Sequence, residues 1–243
     1  MTPLVEARTE GRAVVLTLRR EAKLNALSTA LEAALAEALA GDDVRDAACV
    51  VLTGGGRAFS AGADVGELRG RTPEDVLAYY ATTGGVYEQL AALAQPTFSA
   101  IAGYCLGGGL ELALATDFRI ADETAVFGFP EVGLGILPSS GGTARVTRFL
   151  GAARAKELML LRTRIDAQEA LAHGLVSEVV PAGEALARAL EHAQRLAELP
   201  RLAVSVTKQA IDAASETPHA AGIMLERLAY AMLAQTEDAR GGP

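Results

Sequence analysis

Residues Cys105 to Ala115 read CLGGGLELALA, and two features of this stretch resist a plain reading. Three glycines, Gly107-Gly108-Gly109, open a segment with the composition of a helix, although glycine is poor inside a helix. The helix is apolar all round except for Glu111, and a lone carboxylate is costly in a core. The first turn of a helix carries free backbone N–H groups and partial positive charge. Glycine lets a ligand approach that backbone closely, and an oxygen gaining negative charge would be stabilised there. Tight helix–strand packing explains the glycines equally well, so the triplet alone leaves the two readings level.

The flanking segments have an α/β pattern. The runs 13–18 (AVVLTL), 48–53 (ACVVLT) and 96–102 (PTFSAIA) read as strands of the buried kind. Short strands are expected at 118–121 and 125–127. Ser28 is positioned to cap a helix over 29–40, with apolar spacing Leu31, Leu35, Leu39. Thr72 and Pro73 open a helical region reaching about residue 94, broken or bent at Gly84-Gly85. The span 54–70 reads as a loop. Beyond Gly141-Gly142 the pattern is helical, interrupted only at 175–180. Amphipathic helices over 183–236 are separated near Pro200 and Pro218. The expected organisation is a core over residues 1–182 and a C-terminal helical lobe over 183–243.

The 243 residues carry a net charge of -8, which argues against a general nucleic-acid or membrane-surface role. Cys49 and Cys105 both lie in apolar runs and read as reduced core residues. The first residues have no basic region followed by an apolar stretch. The longest apolar region, 100–115, falls short of a membrane span. A soluble, cytoplasmic protein is expected.

A second loop, Phe59-Ser60-Ala61-Gly62-Ala63-Asp64, also follows a buried strand and exposes backbone N–H groups among small residues. Glu111 lies one helical turn beyond Gly108, on the same face. Glu131 lies in a second apolar setting, Phe127-Gly128-Phe129-Pro130-Glu131-Val132-Gly133-Leu134. A buried carboxyl has a raised pKa and suits proton transfer, and two of them can hold one water. An isolated glutamate is more often exposed or paired with an arginine or a backbone amide. A pair, one of them tied to a glycine triplet, favours chemistry.

These residues resemble a known family. Ser60-Ala61-Gly62-Ala63-Asp64, Gly107-Gly108-Gly109-Leu110-Glu111, Pro130-Glu131 and Leu137-Pro138-Ser139-Ser140-Gly141-Gly142-Thr143 look like the enoyl-CoA hydratase/isomerase (crotonase) superfamily. Arg20 to Leu27, ending Asn25-Ala26-Leu27, resembles its early coenzyme-side segment, and Ala170-Leu171-Ala172-His173-Gly174-Leu175-Val176 resembles a later one, in the family's order. The resemblance implies a spiral of ββα turns with a helical C-terminal trimerisation lobe, assembled as a trimer or a dimer of trimers. It implies that the backbone N–H groups of Ala63 and Gly108 hold a thioester oxygen. Losing one such donor typically costs about 2.7–4 kcal/mol in barrier. It implies hydration of a 2-enoyl-CoA, with Glu111 deprotonating the attacking water and Glu131 delivering a proton to the α-carbon. Coenzyme A is part of the substrate, contacted near Lys23, Leu24, Ala61 and Asp64. No metal, redox cofactor, nucleic acid or membrane is implied.

The chain departs from the family in places. Many hydratases carry Pro-Gly where this chain has Pro138-Ser139-Ser140, so Ser139 becomes a neighbour of the water site. Gly66 replaces a common lysine, and the usual basic C-terminal tail is replaced by QTEDARGGP at 235–243.

Rival readings are weaker. A serine hydrolase would need Ser60 on a sharp strand-to-helix turn, but Gly54-Gly55-Gly56-Arg57 intervenes, and His173, His192 and His219 suit caps and surface. A dinucleotide site would need a third glycine where Leu112 stands. A non-enzymatic acyl-CoA-binding or interaction protein on the same fold is opposed by the presence of both glutamates. A 3,2-enoyl-CoA isomerase would need only one base, and Glu131 could serve it.

Overall fold

The computed structural model describes residues 3–68 and 70–241. Met1, Thr2, Arg69, Gly242 and Pro243 lie outside the described residues, and with them the outer ends of both expected segments and the reading of the first two residues. The strands are β1 (Val5–Glu10), β2 (Ala13–Leu18), β3 (Cys49–Gly54), β4 (Ala58–Ser60), β5 (Thr97–Ile101), β6 (Tyr104–Leu106), β7 (Phe118–Asp122), β8 (Val126–Gly128), β9 (Ile165–Asp166) and β10 (Glu178–Val180). The helices are α1 (Thr29–Ala40), α2 (Asp42–Asp46), α3 (Val65–Leu68), α4 (Pro73–Tyr80), α5 (Val86–Ala91), α6 (Gly108–Leu114), α7 (Gly142–Leu160, non-helical at Gly151), α8 (Ala167–Ala172), α9 (Ala185–Ala197), α10 (Arg201–Ala214), α11 (His219–Leu233) and α12 (Glu237–Gly241).

Two sheets organise the chain. The larger has the order β1-β2-β3-β5-β7-β10 and is parallel apart from the β1–β2 pair. The smaller has the order β4-β6-β8-β9. Consecutive strands alternate between them: β3 then β4, β5 then β6, β7 then β8, each pair followed by helix. That is a spiral of ββα turns. Because the side-chain period of a strand is two, β2 and β3 feed two cores. Val14, Leu16, Leu18, Val50 and Leu52 join a cluster with α1, α5 and α6. Ala13, Val15, Cys49 and Val51 face Ala185, Ala189 and Ala193 of α9. The alanines recur every four residues, so one small stripe lets α9 lie close on the sheet.

Packing places α9 with the sheet, whereas α10 and α11 pair with each other. Ser28 caps α1, accepting from the Leu31 N–H, and Thr72 and Asp75 form a reciprocal cap on α4. Three expectations need correction. The span 54–70 contains a strand and a short helix, because Ala58, Phe59 and Ser60 are buried and pair with β6. A further strand, β6, stands between β5 and the glycine triplet. The two-residue β9 interrupts the helical region after Gly142. Among the described residues, no helix is long and apolar enough to cross a membrane.

Candidate active site

The site forms where β4 and β6, neighbours in the smaller sheet, deliver their following loops. Leu27 and Ala63 make an isolated parallel bridge. In it the Leu27 N–H donates to the Gly62 carbonyl (2.8 Å) and the Asp64 N–H donates to the Leu27 carbonyl (2.9 Å). The N–H of Ala63 is left on the other side. On the second loop, the Gly107 N–H is held by the Gly128 carbonyl at 2.9 Å. Gly107 has φ +52°, a backbone state that favours glycine. It aims the chain into α6, so Gly108 supplies one of the unpaired N–H groups of the first turn. Among the described residues no backbone carbonyl accepts from Ala63 or Gly108. A Cβ placed on Gly108 would lie 3.4 Å from the Ala63 nitrogen. The Ala63 nitrogen thus lies beside Gly108, and a methyl at position 108 would touch it. Gly109 has a packing role instead: a Cβ there would come within 2.5 Å of the Ser60 carbonyl oxygen. The packing reading of the triplet thus fits Gly109, and Gly108 keeps an N–H without a backbone acceptor among the described residues.

Every residue of α6 is buried, Glu111 included at 4% exposure. The Glu111 Oε1 accepts from the N–H groups of Ser140 (2.7 Å) and Gly142 (2.9 Å) at the start of α7. Burial raises its pKa, and these two donors together with Arg145 oppose the rise. Glu131 opens a short 3-10 turn and is 8% exposed. Its Oε2 is buried and has no hydrogen-bond partner among the described residues. Burial first, and the Glu111 charge second, push its pKa up to about 7, against its own backbone N–H. The carboxyl presses on the first glycine of the triplet: a Cβ on Gly107 would meet the Glu131 Oε1 at 2.5 Å. Phe127 and Phe129 are buried as expected, but Val132 and Leu134 are exposed.

Of the residues expected on the coenzyme side, Leu24 and Ala61 are in direct contact. Leu24 is left-handed (φ 51°), and its carbonyl accepts from the Ala61 N–H at 2.9 Å. Asn25 locks this turn, donating to the carbonyls of Gly55 (2.9 Å) and Ala58 (2.8 Å). Asp64 receives Arg20 at 2.7 Å and the Gly66 N–H at 3.1 Å, and the Arg20 guanidinium holds its carboxyl below the usual range. Lys23 is exposed. Ser139 is exposed, and its hydroxyl hydrogen-bonds to Tyr80 of α4. The neighbour that meets Glu111 is Ser140, through its backbone.

Arg145, Tyr80 and Tyr87 escaped the sequence reading, and Arg20 entered it only as the start of the coenzyme-side segment. Arg145 spans from the Ser140 carbonyl (3.0 Å) to Glu88 (2.7 Å) and steadies the turn that holds Glu111. Nothing in its local pattern marked it. The hydrolase reading fails on geometry: Ser60 donates its hydroxyl to the Asn25 carbonyl at 2.8 Å, a structural bond. His192 meets Glu178 at 2.8 Å and His173 caps α8. Among the described residues, no group of three or more His, Cys, Asp or Glu side chains is placed to hold a metal.

A two-sheet ββα spiral of this kind is the crotonase fold. The family profile described as Enoyl-CoA hydratase/isomerase matches residues 8–243, and the chain belongs to that family. A Rhizobium meliloti (strain 1021) protein named probable enoyl-CoA hydratase is 41% identical over 242 residues, covering 99% of this chain and 93% of that one. The 2,3-dehydroadipyl-CoA hydratase of Escherichia coli (strain K12) is 39% identical, covering 100% of this chain and 94% of its own. The crystal structure of an enoyl-CoA hydratase from Bacillus anthracis superposes with a TM-score of 0.90 at 38% identity, covering 97% of this chain and 92% of that one.

Proposed function

We propose that this protein is an enoyl-CoA hydratase, adding water syn across the 2,3 double bond of a 2-enoyl-CoA to give a 3-hydroxyacyl-CoA. The observation that carries the reading is the contrast between the two carboxyls: Glu111 accepts two backbone N–H bonds, and Glu131 keeps a buried oxygen without a partner. The Ala63 and Gly108 N–H groups receive the thioester oxygen and stabilise the enolate that forms. Glu111 takes a proton from water as the water oxygen bonds to the β-carbon. The π electrons pass to the thioester oxygen. They return as the α-carbon takes the Glu131 proton. Exchange with solvent then resets both acids.

Coenzyme A enters as part of the substrate along Lys23, Leu24, Ala61 and Asp64, and the chemistry is assigned to the chain's own residues without a metal or redox cofactor. The cytoplasm is the proposed location. A homotrimer or dimer of trimers is the proposed assembly. Its support is the exposed apolar row Met224, Leu228 and Met232 on α11, next to Leu225.

The test is loss of the conjugated thioester absorbance when purified protein meets crotonyl-CoA. Hydration is the expected result; faster isomerisation of a 3-enoyl-CoA would make Glu131 the sole base of an isomerase, and binding without turnover of either would leave an acyl-CoA-binding protein.

A further inference from the structure

A third buried carboxylate, Glu32, has no part in the chemistry above. It lies on α1, only 3% exposed, on the face shared with Leu31 and Leu35. A carboxylate at a core position is costly unless it is well hydrogen-bonded. Two tyrosines supply those bonds. Tyr79 of α4 donates to Glu32 with both carboxylate oxygens at 2.7 Å, and Tyr87 of α5 donates at 2.9 Å. Tyr87 is itself buried, and its hydroxyl oxygen would lie 3.4 Å from a Cβ on Gly108.

The two ends of this network lead to the two backbone donors. The Glu32 N–H donates to the Ser28 carbonyl at 2.9 Å, and Ser28 follows Leu27, the bridge partner of Ala63. Glu67, on the helix just after Ala63, accepts from both the N–H and the hydroxyl of Thr29 at 2.8 Å. Glu32 is therefore rigidly tied to the Ala63 loop, and Tyr87 abuts Gly108.

We propose that Glu32 and Tyr87 are positioning residues for the reaction: their hydrogen bond fixes the spacing between the Ala63 and Gly108 N–H donors, and Tyr79 completes the carboxylate's coordination without a role at the donors. The inference rests on the hydratase reading above. Stabilisation of an oxyanion requires donors about 2.7–3.1 Å from the oxygen, so a small relaxation of that spacing weakens the transition state more than the ground state. Burial raises the Glu32 pKa, and both tyrosines pull it back by donating to the ionised form.

The test compares Tyr87→Phe, Glu32→Gln and Tyr79→Phe. Steady-state kinetics with crotonyl-CoA are read beside the infrared carbonyl stretch of bound butyryl-CoA labelled with 13C at its thioester carbon. Butyryl-CoA has no double bond to hydrate, so the stretch reports polarisation alone. Tyr87→Phe and Glu32→Gln are expected to lower kcat about ten- to hundredfold with KM nearly unchanged, and to shrink the downshift of the carbonyl stretch. Tyr79→Phe is expected to keep both. Wild-type kcat and downshift in a folded Tyr87→Phe protein would overturn the proposal, as would an equal loss in Tyr79→Phe. If Glu32→Gln does not fold, Tyr87→Phe alone decides. Absence of any downshift in the wild-type protein would also overturn the proposal, whereas a wild-type protein that polarises butyryl-CoA but does not hydrate crotonyl-CoA would instead refute the hydratase reading on which it rests.

Discussion

Glu111 and Glu131 are the same residue type, both nearly inaccessible and near enough for one charge to raise the other's pKa, yet the chain gives them different partners. Glu111 grows from a fully buried helix and meets the N-terminus of another, where the Ser140 and Gly142 N–H groups and a helix dipole favour its charge. Glu131 stands on a 3-10 turn with one oxygen unpartnered among the described residues, and burial first and the Glu111 charge second push its pKa up to about 7. In the proposed mechanism environment rather than residue type makes one the base and the other the acid, the pattern expected where two carboxyls carry out separate proton transfers.

The sharpest way to break the comparison is to neutralise each partner. Glu111→Gln and Glu131→Gln should each lower kcat ~10²–10⁴-fold, with KM for crotonyl-CoA little changed. Wild-type turnover in either would remove that residue from the chemistry. Gly108→Ala leaves both acids intact and obstructs the donors. The new methyl meets its neighbours only at 3.4 Å, so the protein folds, but kcat should fall ~10²–10³-fold. Gly109→Ala, whose methyl would come within 2.5 Å of the Ser60 carbonyl oxygen, should instead lower the melting temperature.

The pH profile follows from the same contrast. Glu131 gives a proton and must carry it, so kcat/KM for hydration should fall as pH rises past about 7. Glu111 must be ionised, so the acid limb should lie above the ordinary glutamate range because burial raises its pKa. A flat profile across neutrality would contradict the assignment.

Stability gives a smaller effect. Glu131 has a folded pKa near 7 against an ordinary value of 4.5. The folded state therefore binds that proton more tightly, and stability is lost as pH rises from about 4.5 to 7. Glu131→Gln removes the titration and should stabilise the protein above neutrality by on the order of 2–3 kcal/mol. At pH values well below 4.5 the titration contributes nothing, so thermal melts at acid and alkaline pH should separate the two regimes. The smallest effect belongs to Tyr80→Phe, which frees the exposed Ser139 hydroxyl at the cost of one hydrogen bond, about 0.5–1.5 kcal/mol. It should leave the Glu111 bonds to Ser140 and Gly142 intact, so kcat should stay close to wild type.

Some of this was legible in the residues. The strands β2, β3 and β5 are mostly apolar and largely buried, because a sheet covered on both faces leaves few positions for charge. Ser28 and Thr72 announce their helices by side-chain chemistry that acts within three residues. Strands β4, β6 and β9 are two or three residues long, too short to show a period, and exist only through their partners. The approach of Ala63 to Gly108 depends on a bridge to Leu27 and a left-handed Gly107, which no local pattern encodes. Ser139 was one residue away from the Glu111 contact because the turn after Pro138 decides which N–H points inward. Glu32 did carry a signal: it shares the apolar face of Leu31 and Leu35, where a carboxylate is out of place.

The central claim is that Glu131 is held as an acid beside an ionised Glu111. Carboxyl 13C NMR of protein labelled at glutamate side chains measures this directly, with Glu131→Gln identifying the resonance. The resonance absent from Glu131→Gln is predicted to titrate near pH 7 in the wild-type protein. A midpoint for that resonance at the ordinary glutamate value of 4.5 would contradict the account.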